Sequence, residues 1–287
     1  MAAHITFQPG FCNSNLGEGG FINNRLVHSI DCGRLTRVGK NACARCENLR
    51  IVNFGDVSTI GEGAFSGCSS LESADLSNVN GIGNEAFWRC EKLETVVLSP
   101  GLEEIPLRAF YKCSRLEDVK FPQGIKHIRM GALSGTDLKS IKLPSQLQTI
   151  ASDAFLNCAG LKKVTIPAKV HSIGCAAFYG CGLEMVVFLG KPGRKLDPRA
   201  FGSGSRITKV VLPFKARQYI QKRLSFLHAF TSRKMRPADW KTIGMPRTMK
   251  DRIFTIILSL RKVTKLPYEI IYIILAYVDT GYLLLTK

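Results

Sequence analysis

From residue 42 to residue 212 the chain repeats one phrase of apolar positions, Ala-Phe-x-x-Cys-x-x-Leu-x-x-Val-x-Leu. One copy reads Ala64, Phe65, Cys68, Leu71, Ala74, Leu76; the next reads Ala86, Phe87, Cys90, Leu93, Val96, Leu98. The Leu-x-x-Val-x-Leu end alternates with a period of two, so its apolar residues share one face of a short strand. Pro and Gly follow (Pro100-Gly101, Pro122, Gly124, Pro144, Pro167), which breaks the strand and turns the chain. A second apolar pair, such as Ile105 before Ala109-Phe110, predicts another edge leading into a short helical or irregular turn.

The phrase keeps a metre. Its Phe position falls at residues 43, 65, 87, 110, 133, 155, 178 and 201, in steps of 22 or 23. Some copies depart from it: Cys43 stands at the Phe position of the first, Leu133 and Thr136 replace Phe and Cys in the fifth, and the fifth and seventh are one residue shorter before the strand. One such turn cannot bury its own inner face, but stacked turns share a continuous core. Strands roughly 4.8 Å apart would make eight turns into a slab about 35–40 Å long.

These residues resemble the BspA-like subfamily of leucine-rich repeats, whose signature is close to L-x-x-I-x-[LI]-P-x-x-[LV]-x-x-I-x-x-x-A-F-x-x-C. The resemblance implies an α/β leucine-rich-repeat solenoid with a parallel β ladder and short helical or irregular turns. It also implies a non-catalytic interaction scaffold, or a structural part of a larger assembly, with surface or adhesion proteins as the other branch of the class. The expected organisation is a leader or cap over 1–29, repeats over 30–213, and a basic helical module over 214–287.

The register defines three exposed columns on the strands. The first is Arg50, Glu72, Glu94, Glu117, Lys139, Lys162, Glu184, Thr208; the second is Ile51, Ser73, Thr95, Asp118, Ser140, Lys163, Met185, Lys209. The third is Asn53, Asp75, Val97, Lys120, Lys142, Thr165, Val187, Val211. Early turns are acidic, middle turns basic, and Ile51, Val97, Met185, Val187 and Val211 are apolar where solvent is expected. Such a face reads either as an ordinary solvated sheet surface or as a charge-polarised docking surface.

After Pro213 the metre stops. Ile253, Ile256, Ile257 and Leu260 recur at helical spacing, and Leu266, Pro267, Glu269, Ile270, Ile274 and Leu275 predict a docking helix with Pro in its first turn. About a dozen residues there resemble the first helix of an F-box, which would imply a substrate adaptor of a ubiquitin ligase. The apolar run Ile270–Leu285 contains Asp279 and follows Lys262, Lys265 and Glu269, so a membrane span is not expected.

Charge sharpens the partner class. The chain carries a formal net charge of +18, and residues 214–287 alone hold 15 Lys/Arg against 4 Asp/Glu. That field favours a protein partner with an acidic surface; for nucleic acid the dispersed Lys/Arg offer non-specific phosphate contact at most. Self-assembly or a heteromeric assembly is compatible with it. The start, MAAHITFQPG, shows no basic and apolar leader, which places the chain in the cytoplasm or in a large intracellular or viral assembly. Reduced thiols follow from that compartment.

No catalytic, cofactor or metal motif emerges. Cys43-x-x-Cys46 has the spacing of half a zinc site, but both residues stand at inward positions of the repeat, so they read as core. Neither Gly-rich run, 17–20 or 190–195, matches a phosphate loop, and the five histidines are scattered.

Overall fold

The computed structural model describes residues 3–6, 15–190, 195–202, 207, 209–213 and 282–286. The chain winds into a solenoid with two strands in each full turn. The long strands are β1 (Ala3–Thr6), β3 (Val27–Asp31), β5 (Ile51–Asn53), β7 (Ser73–Leu76), β9 (Thr95–Leu98), β11 (Asp118–Lys120), β14 (Lys163–Ile166), β16 (Met185–Phe188) and β18 (Lys209–Pro213). The short ones are β2 (Asn15–Leu16), β4 (Arg37–Val38), β6 (Thr59–Ile60), β8 (Gly81–Ile82), β10 (Glu104–Ile105), β12 (His127–Ile128), β13 (Thr149–Ile150), β15 (Ser172–Ile173) and β17 (Lys195–Leu196).

Pairing within each ladder is parallel and in register: Ser73 lies opposite Thr95, Asp118 opposite Thr95, and Lys163 opposite Met185. Short strands pair the same way, Glu104 with His127 and His127 with Thr149. The long ladder is interrupted twice: β5 and β7 belong to different sheets, and in the fifth repeat no long strand forms between β11 and β14. At the amino end β3 pairs with both β1 and β5, so the ladder runs through the boundary drawn at residue 30. At the other end β19 (Tyr282–Thr286) adds to β18 in the single antiparallel pairing among the described residues.

Two expectations change. The turns were expected to be short helical or irregular segments and take the irregular form: among the described residues there is no helix, and the solenoid there is all-β. The cause lies in the turn backbone. Left-handed φ angles occur four residues apart, at Gly63 (61°) and Gly67 (75°), at Glu85 (57°) and Arg89 (55°), and at Arg108 (50°) and Lys112 (58°). A left-handed residue interrupts a right-handed helix, and here it points N–H groups along the stack. Phe65 N donates to Ala86 O at 2.8 Å and Phe87 N to Ala109 O at 2.9 Å, while Gly67 N donates to Trp88 O at 2.6 Å. The turns thus form a third hydrogen-bonded ladder. The second change concerns the module over 214–287: its one described piece, β19, is a strand, and residues 214–281, including the docking helix from Leu266 to Leu275, lie outside the described residues.

The core is the stacked inner wall. Phe65, Phe87 and Phe110 are fully buried, and their rings stack face to face at 5.5 Å and 5.5 Å between centroids. Phe155, Phe178 and Phe201 repeat the arrangement at 5.1 Å and 5.3 Å. Leu133, equally buried, stands between the two stacks. Burying each Phe from water stabilises the fold by roughly 1.5–3 kcal/mol.

Candidate protein-interaction face

The long strands leave one row of side chains to the core and one to solvent, and the solvent row carries the predicted columns. Arg50, Glu72, Glu94, Glu117, Lys139 and Lys162 are exposed, as are Asp75, Val97, Asp118, Lys120, Lys142 and Lys163; Met185 and Val187 are half-buried. Backbone bonds tie the first column together across turns: Glu94 N to Glu72 O at 2.9 Å, and Lys139 N to Glu117 O at 3.2 Å. In the third column Val97 lies between Asp75 and Lys120. Exposed Ile51 and Val97 add apolar area to the face. Thr208 lies outside the described residues, and the backbone of Lys209 and Val211 continues the ladder.

The charges are distributed by turn. The second to fourth repeats place five carboxylates and Lys120 on the face; the fifth and sixth place Lys139, Lys142, Lys162 and Lys163. Among the described residues most of these form no salt bridge. Glu94 pairs with Arg115 at 3.3 Å and Lys139 with Asp137 at 2.6 Å. Among the described residues Glu72, Glu117, Asp118, Lys120, Lys142, Lys162 and Lys163 form none. Lys139 is held above its ordinary value chiefly by its hydrogen bond to Asp137, with Glu117 adding to the field. Elsewhere on the surface the ion pairs run between successive turns, as Lys126–Glu103 and Arg129–Glu104 do.

The cysteines form a column inside the turns. Each Sγ donates to a carbonyl of the preceding turn: Cys68 to Cys43 at 3.1 Å, Cys90 to Phe65 at 3.2 Å, Cys113 to Phe87 at 3.1 Å, and Cys158 to Leu133 at 3.2 Å. Cys43 and Cys46 belong to the same wall and are free thiols. Burial pushes the Cys43, Cys68, Cys90 and Cys113 thiols up, away from thiolate chemistry.

One half-buried surface feature escaped the sequence reading. Trp88 and Tyr111, each following the buried Phe of its turn, stack at 6.3 Å with planes 7° apart. The Arg89 guanidinium lies 4.5 Å from the Trp88 centroid and Lys112 Nζ lies 5.6 Å from that of Tyr111. The signal was the recurrence of aromatic-then-cation one residue after the Phe in consecutive turns.

The profile of the BspA type leucine rich repeat region matches six copies, over residues 14–137 and 126–228. The chain belongs to the BspA-type leucine-rich-repeat family. Among solved structures, a leucine-rich repeat protein from Eubacterium ventriosum is 26% identical, with a TM-score of 0.50 over 54% of this chain and 43% of its own. The family member described here therefore spans less than half the length of that protein. A leucine-rich repeat protein from Bacteroides ovatus shares 22% identity over 75% of this chain and 88% of its own, with a TM-score of 0.35. The leucine rich repeat protein of T. pallidum shares 18% over 78% and 84%, with a TM-score of 0.43. Among curated proteins none matches in sequence. The family match stops at residue 228, so the F-box resemblance gains no support from it. Among the described residues no helix is long and apolar enough to cross a membrane.

Proposed function

We propose that this BspA-type repeat protein is a non-catalytic docking scaffold that binds a protein partner across the exposed face of its long ladder. The observation that carries the reading is the row of ladder charges in the second to sixth repeats, of which only Glu94 and Lys139 form ion pairs among the described residues: acidic in the second to fourth repeats and basic in the fifth and sixth. Unpaired charges around exposed apolar side chains favour a partner whose surface supplies the opposite signs in the same order. An acidic patch would meet Lys139, Lys142, Lys162 and Lys163, and a basic one would meet Glu72, Glu94 and Glu117.

Photo-cross-linkers placed at Thr95 and Ser140, on the ladder face, and at Asn157, on the turn side, test this in extracts of the producing cell. Protein adducts at Thr95 and Ser140, weakened by raised salt and absent at Asn157, are expected. Adducts confined to Asn157 would place docking on another surface and end the proposal.

A further inference from the structure

The geometry points to a second copy of this chain as an occupant of that face, stacked in antiparallel order so that the third and fourth repeats of each copy cover the fifth and sixth of the other. This rests on the docking reading above and names its partner.

The face is self-complementary. Repeats two to four carry Glu72, Asp75, Glu94, Glu117 and Asp118 with one lysine, Lys120; repeats five and six carry four lysines. The two blocks therefore hold equal and opposite formal charge and meet between Glu117 and Lys139. A two-fold axis lying in the face, parallel to the strands and between those turns, exchanges the fourth turn with the fifth and the third with the sixth. It places Glu117 against the second copy's Lys139 and Glu94 against its Lys162, and symmetry makes each pair twice. Asp118 lies diagonal to the second copy's Lys142, within reach of a long side chain. The register also contains like-charged pairs: Lys120 faces Lys142 in the third column, and Glu72 of the second repeat faces Glu184 of the seventh in the first.

The alternative face-to-face symmetry is unfavourable. An axis along the stack would set each turn against its own equivalent with the columns reversed, so Glu72 would meet Asp75 and Lys139 would meet Lys142, with Glu117 against Lys120 as the complementary pair. Like charges so placed repel. The monomer itself supplies a driving force, because the register of β9 with β11 sets Glu117 beside Glu94. Like charges directly opposite on paired strands are destabilising, and a covering layer of the other sign relieves them.

Five turns of two to four residues form a face of about 20 Å by 10–13 Å, small beside the standard protein interface of about 800 Å² per partner. The association is therefore weak and electrostatic. The whole chain's +18 opposes approach at low salt, so the measurement belongs near 0.15 M salt, where the Debye length is about 8 Å.

Sedimentation of the full chain at high micromolar concentration tests the inference with two variants, Glu94→Lys/Glu117→Lys and Lys139→Glu/Lys162→Glu. The unsubstituted chain should show a reversible dimer, each variant alone should lose it, and an equimolar mixture of the two variants should regain it as a heterodimer. The second variant is decisive against a general charge effect, since it lowers the net charge and yet should dissociate. A monomer throughout would overturn the self-pairing while leaving the docking face to its cross-linking test. A dimer indifferent to both variants would overturn it as well, and combined with no ladder adducts would remove the docking reading too. A mixture that stays monomeric would likewise exclude the antiparallel register.

Discussion

Each buried thiol of the column donates to a carbonyl of the turn before it, which gives cysteine a role that alanine or valine could not fill. The accepting carbonyl already takes a bond from its own turn: Phe65 O accepts Cys68 N at 3.1 Å and then Cys90 Sγ at 3.2 Å. The thiol saturates an acceptor that would otherwise be half-used in an apolar wall. Where the fifth repeat has Thr136, its hydroxyl turns back instead to Leu133 O in the same turn, at 2.8 Å. The same burial predicts an alkaline limit. Below the ordinary thiol value of 9.0 both folded and unfolded chains hold these protons; above it the unfolded chain releases them while Cys68, Cys90 and Cys113 keep theirs. Cys32, pushed up to about 12, behaves likewise. The folded state then binds more protons, so stability falls as pH rises past 9, by up to about 1.4 kcal/mol per unit for each such thiol. Urea midpoints measured from pH 8 to 11 should drop steeply, and Cys68→Ala/Cys90→Ala should flatten the slope; a midpoint constant to pH 11 would contradict the column. The inward position of these cysteines was legible from register alone. Their acceptors were not, because each lies 25 or 26 residues back.

At the level of elements, the phenylalanine stacks couple neighbouring turns. Phe87 contacts Phe65 and Phe110 face to face and meets Phe54 edge-on at 6.5 Å. Phe87→Ala should therefore cost about 3–5 kcal/mol, read as a lowered denaturation midpoint; a loss under about 1 kcal/mol would mean the wall collapses freely around the gap, against the close packing of interiors. The elements that misled the sequence reading are the turns. Ala-Phe-x-x-Cys carries apolar residues at spacings that suit one turn of helix, but the φ angles of Glu85, Arg89, Arg108 and Lys112 are left-handed. Those residues rarely choose that conformation alone, and a hydrogen bond to the next turn is what holds them there. Arg89 N donates to Tyr111 O at 2.7 Å and Lys112 N to Ser134 O at 2.7 Å.

Across the whole molecule the solenoid behaves as a one-dimensional stack whose weakest joint is the fifth repeat. There the Phe stack is interrupted by Leu133 and the long ladder has no strand between Lys120 and Lys163. Hydrogen exchange should find the amides of 140–143 opening faster than those of Val96 in β9 and Val164 in β14; uniform protection along the ladder would refute the joint. The charge reversal of the exposed face falls at this same place, between Glu117 and Lys139. By itself the sequence determined the period, the number of turns, the inward landmarks and the family, since all follow from which residues recur every 22 or 23 positions. It also determined which charges stand on the exposed face and how their sign changes from turn to turn, because strand alternation assigns faces without further information. Only the tertiary structure decided that the turns are not helical, that Trp88, Arg89, Tyr111 and Lys112 assemble into one half-buried stack, and which ladder charges form no ion pair among the described residues. Those outcomes depend on groups a full coil away, whose positions are fixed only when the turns stack and exchange hydrogen bonds.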